Sequence, residues 1–93
     1  MNETIQHAVD DMQFVCVHQG VRSVLRYEDA GPTVLDYTST FVPPEVRHRG
    51  VGSRLVQHAL DYARDGGFTI RPSCWFVAEF IERHPEYRDL IAD

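Results

Sequence analysis

The segment PPEVRHRGVGSRL, from Pro43 to Leu55, gathers two glycines, Gly50 and Gly52, with three arginines, Arg47, Arg49 and Arg54. Glycine backbone leaves its N–H groups open to an approaching anion, and guanidinium groups nearby add positive charge. The pattern therefore suits a phosphorylated ligand where the glycines open a helix. The same two glycines would equally serve a turn that binds nothing. A second candidate is Cys74, in PSCWF from Pro72 to Phe76, placed in the first turn of an expected helix. The positive end of a helix lowers a thiol's pKa and makes it a nucleophile. Against that stands the common fate of cysteine as a small buried hydrophobe, which is the reading for Cys16 on an early strand. The two thiols are expected to stay separate, and neither they nor the histidines have the spacing of a metal site. His7 and His18 are placed in or near loops, His48 in the glycine turn and His58 on the outer side of a helix.

These side chains need elements to position them. MQFVCVHQG (Met12 to Gly20) has the composition of a strand ended by a polar turn. VRSVLRYE (Val21 to Glu28) alternates, with Val21, Ser23, Leu25 and Tyr27 on one face and Arg22, Val24, Arg26 and Glu28 on the other. DAGP (Asp29 to Pro32) is a turn, and TVLDYTSTFV (Thr33 to Val42) completes an antiparallel meander. Pro43 and Pro44 stop that strand, since proline cannot donate to a ladder. From Gly50 the period changes. Val51, Leu55, Ala59 and Ala63 recur on one side while Arg54, Gln57, Asp61 and Arg64 face outward, which predicts an amphipathic helix ended by Gly66 and Gly67. FTIRP (Phe68 to Pro72) reads as a fourth strand. SCWFVAEFIERH (Ser73 to His84) reads as a helix with Trp75, Phe76, Phe80 and Ile81 as its core side, and PEYRDLI as one more helical turn. Glu79, Glu82, Glu86 and Asp89 form its solvated face.

The order is β-β-β-α-β-α: an α+β fold with a mixed sheet of about four strands and flanking helices, in one domain over residues 1–93. A strand that runs through a glycine turn into a helix presents that helix's N-terminus at the sheet edge. Its first N–H groups lack internal partners and carry roughly +0.5 of a charge.

Composition narrows the partners. Fourteen acids against nine bases give −5, and every base is arginine. An acidic chain disfavours nucleic acid and draws cations such as amines. The lack of lysine fits an arginine-rich codon bias. No apolar run reaches the roughly 20 residues of a membrane helix, and the N-terminal MNETIQHAVDD carries no secretory pattern, so a cytoplasmic protein is expected. An ATP-binding loop is a poor fit, since there is no G-K-[ST] and no lysine in the chain.

With these residues in order, the chain resembles the short, stand-alone members of the GNAT superfamily of acyl-CoA-dependent N-acetyltransferases, over about Phe14 to Leu90. The signature [QR]-x-x-G-x-[GA] falls on Arg47, Gly50 and Gly52, and PSCWF and RHPEYRDL (Arg83 to Leu90) match two later segments of the short group. The resemblance implies acetyl-CoA as substrate, with its pyrophosphate on Arg47, His48, Arg49, Gly50, Val51, Gly52 and Ser53. Its pantetheine arm would lie near Phe41 and Val42. It implies Cys74 as the catalytic residue, accepting the acetyl group or protonating the departing thiol. The short group commonly reads H-T-x-V-P where this chain reads STFVP, so Ser39 stands in place of a histidine.

Two functions follow. One is an N-acetyltransferase moving an acetyl group from acetyl-CoA to an amine, as a monomer or weak dimer without metal, nucleic-acid or membrane partners. The other is a non-catalytic CoA-binding or protein-interaction module on the same fold, an alternative that Ser39 and the short chain favour.

Overall fold

The computed structural model describes residues 3–92. Five strands form one sheet in sequence order: β1 (Glu3–Ala8), β2 (Gln13–His18), β3 (Val21–Gly31), β4 (Val34–Phe41) and β5 (Thr69–Arg71). β1 to β4 pair antiparallel. β5 pairs parallel with β4, after a crossover through helix α1 (Val51–Gly66). Helix α2 (Trp75–Arg83) and a 3-10 helix (Pro85–Leu90) close the chain.

The sheet has five strands where the sequence pattern suggests about four. The additional strand is β1, which places Ile5 opposite Cys16 and His7 opposite Phe14. Ile5 and His7 are half-buried while Thr4 and Gln6 are exposed, so the alternation is present but carried by a polar stretch. His7 accordingly lies in a strand rather than a loop. The turn after β3 also comes later than DAGP suggests, because β3 runs on to Gly31 with a register shift between Asp29 and Gly31.

Both helices cover one face of the sheet. Val51, Leu55, Val56, Ala59, Leu60 and Ala63 of α1 are buried against Phe14, Leu25, Leu35 and Tyr37. Tyr37 is fully buried, and its hydroxyl donates to the Ala59 carbonyl at 2.6 Å. A buried hydroxyl without a partner would cost about 1–3 kcal/mol, so this bond fixes how α1 sits over β4. Burial pushes the Tyr37 phenol well above its usual range. Gly67 ends α1 at φ +75°, with its N–H on the carbonyls of Ala63 and Arg64, as a glycine C-cap requires.

Trp75 departs from the expected core position: it is 72% exposed. The buried side of α2 is Val77, Phe80 and Ile81. Trp75 precedes Val77 by two residues, about 200° around a helix, and so faces away from that stripe.

Two irregularities open the sheet where β4 ends. A bulge between Arg26 and Tyr27 leaves Thr38 without an opposite residue, pairing Tyr27 with Tyr37 but Arg26 with Ser39. β5 pairs with β4 only from Val34 to Asp36, after which the chain turns away. One further bond, from the Cys74 N–H to the Tyr37 carbonyl at 2.9 Å, holds the start of α2 to the strand. Beyond Tyr37, β4 has no strand partner on that side among the described residues.

Candidate functional site

α1 opens on Gly50, which adopts φ +75° as the N-cap. The first helical bond runs from the Arg54 N–H to the Gly50 carbonyl at 3.1 Å. No side chain caps this end, so the N–H groups of Val51, Gly52 and Ser53 have no partner within the helix. His48 precedes them at φ 66°, a left-handed conformation uncommon for a non-glycine residue.

A cavity of about 570 Å³ lies against this helix end. Phe41 and Val42 at the end of β4, the loop residues Arg47, His48 and Gly50, and Val51, Gly52 and Ser53 line one part of it. Thr40, Cys74, Trp75 and Phe76 line the rest, with Val46 beneath. Of the residues expected to contact acetyl-CoA, Arg49 alone lies outside this lining; it is exposed on the loop. Cys74 is the N-cap of α2 rather than a first-turn residue, and its thiol stands 3.5 Å from the Thr40 hydroxyl. The side chain is 8% exposed, so it is packed yet reachable from the cavity. Cys16 is fully buried, where desolvation pushes its thiol up. Both thiols are free.

The loop arginines do separate jobs. The Arg47 Nε–H donates to the Val42 carbonyl at 2.8 Å, closing the turn and turning its side chain along the cavity rim. Arg54 points the other way and donates to Glu3, with Nε 2.7 Å from Oε2, tying α1 to β1. That guanidinium holds the Glu3 carboxyl below its usual range, while His18 bonds the same carboxylate at 2.9 Å. Gly52 has a packing role besides any ligand role. A Cβ there would stand 2.9 Å from Phe76 Cζ and 3.4 Å from Val42 Cγ2, so the missing side chain is replaced by the Phe76 ring.

Thr40 is the residue that sequence pattern misses. With Leu35 and Tyr37 inward, strict alternation would send Ser39 inward too, but the bulge at Thr38 reverses the faces. Thr40 then lies opposite buried Leu25, and Ser39 lies opposite exposed Arg26 on the other face from Cys74. Nothing in the residue types announces that bulge. Among the described residues, no group of three or more potential metal ligands comes together.

Comparison with known proteins bears on the family and the fold. Protein NATD1 of Bos taurus is 33% identical over 64 residues, covering 69% of this chain and 57% of that protein. Protein NATD1 of Homo sapiens is 31% identical over 64 residues, covering 69% and 57%. The match thus spans little more than half the length of these relatives. The solution structure of a GCN5-like protein from Staphylococcus aureus shares the fold, with a TM-score of 0.76 at 21% identity, over 98% of this chain and 89% of that one. The sequence profile of the GCN5-related N-acetyl-transferase family matches residues 13–90, from the start of β2 to the last helical turn, and on that span the chain belongs to this family.

Proposed function

We propose that the protein transfers an acetyl group from acetyl-CoA to an amine. The observation that carries this reading is a single cavity lined both by the uncapped N-terminus of α1 and by the Cys74 thiol. A pyrophosphate on the amides of Val51 to Ser53 would gain charge-assisted hydrogen bonds worth about 1.5–3 kcal/mol each. Phe41 and Val42 offer an apolar wall to the pantetheine arm. The thioester would then reach Thr40 and Cys74.

In the transfer, the Cys74 sulfur attacks the acetyl carbonyl and its proton leaves. A tetrahedral intermediate forms, the bond to the coenzyme sulfur breaks, and coenzyme A departs and takes up a proton. A neutral amine then attacks the acetyl group on Cys74, the bond from the carbonyl carbon to the Cys74 sulfur breaks, and the proton lost by the amine passes to that sulfur, giving the amide and restoring the thiol. Backbone N–H groups along the unpaired edge of β4 are the local donors for the developing oxyanion.

Two substitutions test the two halves of the site. Ser53 is exposed, and Ser53→Asp adds an anion at the α1 N-terminus, where acidic side chains favour a helix. The variant should fold as well as the wild type, yet bind CoA at least tenfold more weakly by calorimetry. Unchanged CoA affinity would remove the pyrophosphate assignment. Cys74→Ala should keep CoA affinity and lose transfer to an amine panel by at least a hundredfold, while the wild type incubated with acetyl-CoA carries an acetyl group on the Cys74 peptide. Undiminished turnover in the alanine variant would leave direct transfer in place of the covalent route.

One observation favours a second reading, a module that binds CoA without chemistry. The lining contains no carboxylate, and its one imidazole, His48, is on the glycine turn rather than beside Cys74. CoA binding without turnover for any amine, and without acetylation of Cys74, would select that reading.

A further inference from the structure

We infer that Trp75 is the wall on which the purine of the coenzyme stacks, an inference that rests on the CoA reading above. Among the described residues, Phe41 and Trp75 are the exposed large apolar aromatics, at 53% and 72%, and both belong to the lining of this cavity. An indole this exposed costs hydration of a large apolar surface, and exposed aromatics grouped in one concavity mark a binding surface.

The neighbours of Trp75 locate its ring. On one side, the Cys74 thiol reaches Thr40 at the end of the cavity nearest the sheet. On the other, the Phe76 ring fills the space over Gly52, within 2.9 Å of where that residue's Cβ would be. The Trp75 and Phe76 ring centroids are 6.1 Å apart, with their planes at 87°. The indole therefore stands one ring beyond the cover of the first turn of α1, with most of its surface in solvent. A pyrophosphate on the α1 amides sends the acyl arm toward Cys74 and leaves the nucleotide beyond the helix end, at the rim of the cavity. Trp75 lines the same cavity as those amides, next to the Phe76 ring over Gly52, and its exposed indole faces the one flat part of the coenzyme. Stacking on an indole needs a flat partner and no fixed hydrogen-bonding edge, which a purine supplies.

Trp75 is the only tryptophan in the chain, so its own emission reports the contact. The intact protein is titrated with CoA, with adenosine 3′,5′-bisphosphate as the nucleotide half, and with acetylpantetheine as the half without a purine. Heat of binding and tryptophan emission are followed together. CoA and the bisphosphate should quench the emission, and acetylpantetheine should leave it unchanged. Trp75→Ala should bind CoA and the bisphosphate about tenfold or more weakly, with acetylpantetheine binding retained, and Trp75→Phe should recover part of the loss. The exposed side chain makes both variants foldable, which circular dichroism checks. CoA binding with heat but no change in emission, or equal affinity in Trp75→Ala, overturns the stacking while the CoA reading stands. Quenching by acetylpantetheine but not by the bisphosphate assigns Trp75 to the acyl arm and overturns it as well. No heat with CoA in the wild type removes the coenzyme reading and this inference with it.

Discussion

His7 is half-buried, with its imidazole packed among aromatic rings. Its Nε2 lies 2.6 Å from the Tyr27 hydroxyl, and its ring stacks on Phe14 at 4.2 Å with Tyr62 edge-on at 4.4 Å. The titratable groups around it are Tyr27, Tyr62 and, from α1, His58. Burial lowers the His7 pKa below 6.5, and the charge His58 can carry lowers it further. Protonation is thus easier in the unfolded chain than in the folded one. The stability His7 contributes is complete above about pH 6.5 and is lost as pH falls from there through the depressed folded value. The urea midpoint of the wild type should drop between about pH 7.5 and 5.5 more steeply than that of His7→Phe. Parallel pH profiles for the two proteins would mean that His7 titrates alike in both states.

Contact between α1 and α2 depends on one missing side chain. Gly52→Ala would press a methyl into the Phe76 ring at 2.9 and 3.1 Å. Overpacking of this kind costs about 1–3 kcal/mol, and alanine's better helix propensity offsets at most about 1 kcal/mol of it. We expect a lower urea midpoint for Gly52→Ala and partial recovery when Phe76→Leu is added. A variant as stable as the wild type would show that the ring yields freely. The same contact means that a carboxylate at residue 52 disturbs packing as well as any bound phosphate, whereas Ser53 separates the two effects.

These elements differ in how far the sequence discloses them. The α1 stripe is legible because Val51, Leu55, Ala59 and Ala63 recur with a helix's period, and β3 because Ser23, Leu25 and Tyr27 alternate with a face that is charged at Arg22, Arg26 and Glu28. β1 is hidden because its inward positions include a histidine, a residue seldom counted as core. Of the candidate site, the position of the glycine turn is legible, because its residues also end a strand and start a helix. The site is illegible at Thr40, since a single unpaired residue at Thr38 reverses which side chains face the helices. Trp75 misleads because its residue type argues for burial while its position on α2 argues for solvent.

At the scale of the molecule, one sheet carries helices on one face only. The opposite face exposes Arg22, Arg26 and Glu28 of β3, so charge replaces a second helical layer. The radius of gyration is 12.5 Å, close to the roughly 12 Å expected of a compact domain this long, so the missing layer leaves no looseness. Ion pairs join distant parts of the chain: Arg54 holds Glu3 at the β1 edge, and Arg64 holds Asp89 beyond α2 at 2.9 Å. Both lie at the surface, where water and salt screen them, so they orient the chain more than they stabilise it.

The early divergence of β5 from β4 has a consequence for the order of assembly. Each of the first four strands pairs with its neighbour in sequence, so the meander closes through short loops at small entropic cost. The β4–β5 pairing must wait for the α1 crossover, and α2 can dock only after it. The cavity lies on that seam, with one wall from β4 and α1 and the other from α2. A ligand spanning both walls meets its full site only in the finished fold. Its binding energy is therefore absent from the folding transition state, and it acts as a brake on unfolding, lengthening the lifetime of the native state while leaving the rate of folding nearly unchanged.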